Sequence, residues 1–156
     1  MNLWRLRARL GYWLARRLFH WSWALRQPRL WQWMQGQYAR MAALDDRAAQ
    51  SFYGHILLFR GQGLGARQEG LRLLRLAAQA GDAKSAYQLG RLSLAGDLHS
   101  PADPVDALRW WRIAAAAGHV LAARRLADLL ADGAPGLPAD PQAAAQYAQQ
   151  ARDGGL

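Results

Sequence analysis

The one segment shaped like a cofactor motif is Gly61-Gln62-Gly63-Leu64-Gly65-Ala66, which satisfies the loose dinucleotide pattern G-x-G-x-x-A. Residues 56–59 ahead of it could pass for a strand, and Asp82 lies about 20 residues on, where a ribose-binding acid would belong. The context fails. Asp82 opens a helical pattern instead of ending a second strand, and no βαβ unit can be drawn around the glycines. The four histidines, His20, His55, His99 and His119, are scattered, and none is spaced to share a metal with another His or an acid. Glu69 is the only Glu, no Ser sits in a nucleophile elbow, and the chain has no Cys. Thiol catalysis, disulfides, iron–sulfur clusters and cysteine zinc sites are thereby excluded. The expectation is a chain with no catalytic residue, cofactor, metal or small-molecule substrate.

Arginine with tryptophan is the other combination that carries chemistry. Residues 1–44 hold Arg5, Arg7, Arg9, Arg16, Arg17, Arg26, Arg29 and Arg40 and no acid, so this segment supplies +8 of the net +9. Trp4, Trp13, Trp21, Trp23, Trp31 and Trp33 lie there too, leaving only Trp110 and Trp111 beyond. On a helical wheel Leu3, Leu6, Leu10, Leu14, Leu18, Trp21 and Leu25 share an arc of roughly 120°, with Arg5, Arg9, Arg16 and His20 opposite. Pro28 breaks this helix, and Leu30, Trp33, Met34, Tyr38, Met41 and Leu44 form a second stripe.

Three chemistries suit such an arm. Trp at headgroup depth and Arg drawn to anionic lipid suit a membrane surface. Trp and Arg are also the usual hot spots of a protein interface. Arg on phosphate with Trp stacked on bases would hold nucleic acid, but the near-neutral remainder offers a long strand no further track. The candidate docking set is Trp4, Arg5, Arg9, Trp13, Arg16, Arg17, Trp21, Trp23, Trp31 and Trp33. Helix 30–44 doubles as an N-terminal cap for the body of the chain, and residues 1–28 are expected to be separable from it.

The elements behind the arm repeat. Pro101-Ala102-Asp103-Pro104 recurs as Pro138-Ala139-Asp140-Pro141, and Gly81, Leu89 and Gly96 recur as Gly118, Leu126 and Gly133. A helix ends at Gly81, at Gly118 and at Gly154, giving three units at about 45–81, 82–118 and 119–154. Each reads as helix, Gly/Pro loop, helix. Asp103 stands as N-cap ahead of Pro104 at the first helical position. Small residues at Ala86, Gly90, Ala107, Ala114 and Ala115 let paired helices approach closely. A single pair cannot bury its own apolar face, so stacking must stabilise it.

The run Ala86-Tyr87-Gln88-Leu89-Gly90, with Gly96, Asp103, Ala107, Trp110-Trp111-Arg112, Ala114-Ala115 and Gly118, resembles the Sel-one-like repeat, a relative of the tetratricopeptide repeat. The resemblance implies an all-α protein: an α-solenoid of three helix-pair repeats over 45–156, preceded by one or two amphipathic N-terminal helices over 1–44. It places Trp110 and Trp111 in the core. It implies a groove lined by first helices, with Tyr87, Gln88, Arg91, Arg124 and Asp128 as candidates and His55 a weaker one. Such proteins are non-catalytic adaptors. The expected function is an accessory subunit that binds a protein partner, a membrane-protein complex, and sits peripherally on an anionic membrane surface. An immunity or inhibitor protein that sequesters a toxin is the alternative, and nucleic-acid binding a weaker one.

The longest stretch without Asp, Glu, Lys or Arg, residues 48–59, falls short of the roughly 18 that a spanning helix needs. Early arginines interrupt any signal-peptide core, and the apolar stretch after Arg16-Arg17 is too short for a twin-arginine leader. A composition biased to Arg, Ala, Leu and Gln looks like that of a GC-rich bacterial genome. The arm, with neither transmembrane helix nor cleaved signal expected, gives the cytoplasmic face of a bacterial inner membrane as the expected location.

Overall fold

A computed structural model describes residues 3–156. Among the described residues nine helices run in order: α1 (Leu3–Leu18), α2 (Ser22–Arg26), α3 (Pro28–Ala42), α4 (Arg47–Arg60), α5 (Gly63–Gln79), α6 (Ala83–Ala95), α7 (Pro104–Ala116), α8 (Val120–Asp132) and α9 (Pro141–Asp153). Beyond them lie two isolated bridges, Asp97 with Ser100 and Ala134 with Leu137. The fold is all-α, helix pairs preceded by N-terminal helices. The chain divides into two compact units, and the boundary falls inside α5 between Leu73 and Leu74.

In the second unit α6 packs on α7, α7 on α8 and α8 on α9. The local chemistry recurs at a shift of 37 residues. Gly81, Gly118 and Gly155 hold φ of 89°, 84° and 101°. The next residue's N–H then donates to a carbonyl five back: Asp82 to Ala77 at 2.9 Å, His119 to Ala114 at 2.9 Å and Leu156 to Ala151 at 3.0 Å. This closure satisfies helix-end carbonyls and needs the left-handed region that glycine enters freely. The third repeat thus closes on Gly155, one residue beyond the Gly154 that the sequence suggests. Asp103 and Asp140 cap α7 and α9 by accepting from Asp106 N–H at 2.9 Å and Ala143 N–H at 3.0 Å.

Trp111 and Trp110 are core residues, 2% and 4% exposed. The Trp111 indole donates to the Tyr87 carbonyl at 3.1 Å and fills the space beside Gly90, where a Cβ would overlap it. That indole ties α7 to α6. Trp110 donates to the Asp106 carboxylate at 2.9 Å.

In the first unit α1 and α2 pack on α3, and α3 on α4. The continuous leucine face over 3–25 is not formed. α1 ends at Leu18, Trp21 becomes the N-cap of α2, and Pro28 opens α3. The side of α1 turned inward is its small face. Ala8 packs with Met41, Ala42, Ala49, Leu57 and Leu73, and Ala15 with Ala24, Met34, Tyr38 and Ile56. An aromatic cluster fills the remaining space, with Tyr38 edge-on to Phe52 at 5.1 Å and Phe19 edge-on to Phe52 at 5.3 Å. Tyr38 donates to the Ala15 carbonyl at 2.8 Å. The expected separation of an arm over 1–28 meets a packing that runs against it: Ala8, Ala15, Phe19 and Ala24 share core clusters with residues of the first repeat. Residues 56–59 lie within α4, Gly61 ends that helix and Gly63 begins α5 with φ of 80°. The dinucleotide-like glycines form an inter-helix connection.

Candidate functional site

Small residues on the inner face of α1 decide what its outer face shows. With Ala8 and Ala15 buried, Leu3 is 79% exposed and Leu10 65%, and Leu6, Trp13 and Leu14 are exposed beside them. These five share one side of the helix by their spacing. Arg17 lies within that side and stacks over Trp13 at 5.6 Å. Arg5, Arg9 and Arg16 flank one edge of the stripe and Arg7 the other, all exposed. Of the leucine arc that a wheel would turn to the core, Leu3, Leu6, Leu10 and Leu14 are thus bare and rimmed with cationic groups, while Leu18 and Leu25 pack against the core.

Trp4, Trp21, Trp23 and Trp33 are also exposed. Trp31 is not: it is half-buried, 6.5 Å from Phe19 in a tilted contact, and serves the core. Arg16 lies over the Phe52 ring at 5.3 Å, so its stem also covers core aromatics. Burial pushes the Tyr12, Tyr38 and Tyr53 hydroxyls above the usual phenol range. For Tyr12 burial outweighs the neighbouring Arg16 guanidinium, whose charge and hydrogen bonding act the other way. These phenols are neutral structural groups.

The groove candidates of the second unit separate on inspection. Gln88 is buried, and Tyr87 is half-buried, its ring stacked on His119 at 4.3 Å. Arg124 pairs with Asp128 at 3.1 Å on the exposed face of α8. Arg91 lines a concavity of about 380 Å³ with Leu94, Ala95, the edge of Trp111 and Arg125. Arg125 was not singled out from sequence, although a shift of 37 from Gln88 lands on it. His55, in the first unit, bonds the Ser51 carbonyl at 2.7 Å and stacks on Phe59, a local role.

His119 caps α8 where Asp82 caps α6: its Nδ1 accepts from Ala122 N–H at 3.3 Å. Burial, then Lys84, lowers its pKa, against its backbone hydrogen bond. Only the ring with a bare Nδ1 can accept that bond. Among the described residues no group of three or more His, Asp and Glu side chains could hold a metal, and no helix is long and apolar enough to cross a membrane.

Stacked helix pairs with a 37-residue period, Gly-closed and Asp- or His-capped, define a helical-repeat interaction protein. The Sel1 repeat family matches residues 47–82, 83–119 and 120–156. The chain belongs to the Sel1 repeat family. Among solved structures it is similar to c5321, a protective antigen of uropathogenic Escherichia coli with an SLR fold. That likeness has a TM-score of 0.67 at 22% identity, over 79% of this chain and 26% of the antigen. It is also similar to a Sel1 repeat protein from Oxalobacter formigenes. There the TM-score is 0.66 at 28% identity, over 76% of this chain and 88% of that one. This chain thus spans about a quarter of the antigen's length. No curated protein matches the sequence.

Proposed function

We propose that this chain is a non-catalytic adaptor that binds a protein partner through its repeats and attaches peripherally to an anionic membrane through α1. The bare stripe of Leu3, Leu6, Leu10, Trp13 and Leu14 between flanking arginines carries the reading. Each leucine side chain taken fully out of water is worth about 1.5–3 kcal/mol, and each Arg near an anionic leaflet about 1 kcal/mol. The cytoplasmic leaflet, with its negative surface potential, is the matching one. Trp4, Arg5, Arg9, Arg17, Trp21, Trp23 and Trp33 add exposed interfacial groups. The concavity between Arg91 and Arg125 suits a partner segment with an aliphatic side chain beside a carboxylate, as a membrane-complex subunit could present.

Co-sedimentation with vesicles tests the attachment. The intact chain is expected to pellet with phosphatidylglycerol vesicles and not with phosphatidylcholine vesicles. High salt should release it only partly, since screening weakens the arginines and leaves the apolar stripe. Leu6→Gln with Leu14→Gln should keep the helical fold and lose pelleting. Equal pelleting of this variant would remove the stripe from the account.

A further inference from the structure

Between α1 and α3 lies a cleft of about 560 Å³, lined by Trp4, Arg7 and Leu10 from one helix and Trp33, Gln37 and Arg40 from the other. Two guanidinium groups border one space, and neither Arg7 nor Arg40 has a carboxylate partner among the described residues. The whole segment 1–44 contains no acid to provide one. Gln37 is only 7% exposed, so its carboxamide is a nearly buried polar group on the cleft wall. Trp4 and Trp33, both exposed, add two indole N–H donors on amphipathic rings. Leu10 belongs to the cleft and to the bare leucine stripe at once, so the polar pocket opens directly onto the apolar face.

We propose that this cleft is a specific site for the phosphodiester headgroup of an anionic phospholipid. Arg7 and Arg40 hold the phosphate, Trp4 and Trp33 flank it, and the acyl chains leave along Leu10 toward the stripe. The proposal rests on the membrane attachment above and adds a saturable ligand site to it. A planar guanidinium presents paired N–H groups that match phosphate oxygens, which a lysine ammonium does not. A Gln carboxamide can donate to a phosphate oxygen as well as accept from a headgroup hydroxyl. An acidic peptide would satisfy the arginines but would leave the adjoining leucines in water.

The test uses the full chain and dihexanoyl-phosphatidylglycerol, a soluble lipid that forms no surface at low concentration, so bulk charge attraction to a membrane drops out. The tryptophan indole N–H resonances are followed by NMR. The expected result is that the Trp4 and Trp33 signals shift and saturate at one lipid per chain, while dihexanoyl-phosphatidylcholine, lacking net charge, binds more weakly. Arg7→Ala with Arg40→Ala removes two charge-assisted contacts and should weaken binding on the order of 100-fold. Arg7→Lys with Arg40→Lys keeps the charge and should still weaken it. Arg26→Ala with Arg29→Ala removes the same charge elsewhere on the arm and should leave it nearly unchanged.

Equal loss in the two alanine pairs would overturn the proposal, because charge alone would then explain binding. The same shifts with inorganic phosphate, or with an acidic peptide, at matching concentration would overturn the lipid assignment. The membrane reading fails separately. If the Arg7/Arg40 alanine variant shows no indole shift difference from the intact chain yet both pellet with phosphatidylglycerol vesicles, the cleft is refuted and the attachment stands. Indole shifts in an intact chain that fails to pellet would support the cleft and refute the attachment.

Discussion

Gly90 and Trp111 form a contact whose energetics can be worked from both sides. Trp111 is 2% exposed, so replacing it with Ala should cost about 3–5 kcal/mol through lost burial and the cavity left behind. For a unit of this size that lowers the melting temperature by roughly 4–8 °C per kcal/mol. Gly90→Ala alone adds a methyl that would overlap the indole, an overpacking cost of about 1–3 kcal/mol. A gain of about 1 kcal/mol from better helix propensity offsets it in part. In the Trp111→Ala background the overlap is gone, and Gly90→Ala should then stabilise by up to about 1 kcal/mol. The cycle predicts a change of sign, read by urea unfolding followed in the far ultraviolet. Additive effects of the two substitutions would refute the close approach of α6 and α7 at this point.

Three further outcomes are expected from the same structure. The His119 pKa lies below its usual 6.5 in the folded chain, so the unfolded chain takes up the proton first as pH falls. Its contribution is full above that value and lost as pH drops through and below it; His119→Asp should remove this part of the pH dependence in denaturation measured across the range. Tyr38→Phe should cost about 0.5–1.5 kcal/mol, toward the low end because the Ala15 carbonyl still accepts from Phe19 N–H at 3.1 Å; denaturant midpoints check it. Deleting residues 1–28 strips Ala8, Ala15 and Ala24 from their clusters and should leave the first unit partly unfolded by circular dichroism. Unchanged stability of that truncation would contradict the packing described.

The repeats were legible because their signals are local and recur together. A Gly that must close a helix, an Asp that must cap one and a Pro that fits its first turn each leave a mark at fixed spacing. Trp111 fits the same pattern: a large indole needs a small partner, and Gly90 lies one helix earlier. The arm was harder to orient. A hydrophobic wheel weights Leu and Trp and nearly ignores Ala, yet Ala8 and Ala15 are what let α1 lie close to Tyr38 and Met34. Buried area went to the aromatic residues of α3 and α4, and Leu3, Leu6, Leu10 and Leu14 were left outside. Gln88 misled for a related reason, since a polar side chain on a first helix looks solvent-facing until its neighbours are placed. The cleft between α1 and α3 had no sequence signature, because Arg7 and Arg40 meet only through helix packing.

The absence of cysteine allows the central claim to be tested at one atom position. Leu6→Cys, labelled with an environment-sensitive fluorophore, places a reporter on the bare stripe of α1. Gln142→Cys places the same label on the exposed surface of α9. With phosphatidylglycerol vesicles, the account predicts a blue shift and protection from a soluble quencher at position 6, and no change at position 142. A label at position 6 that stays as accessible with vesicles as without them would contradict attachment through α1.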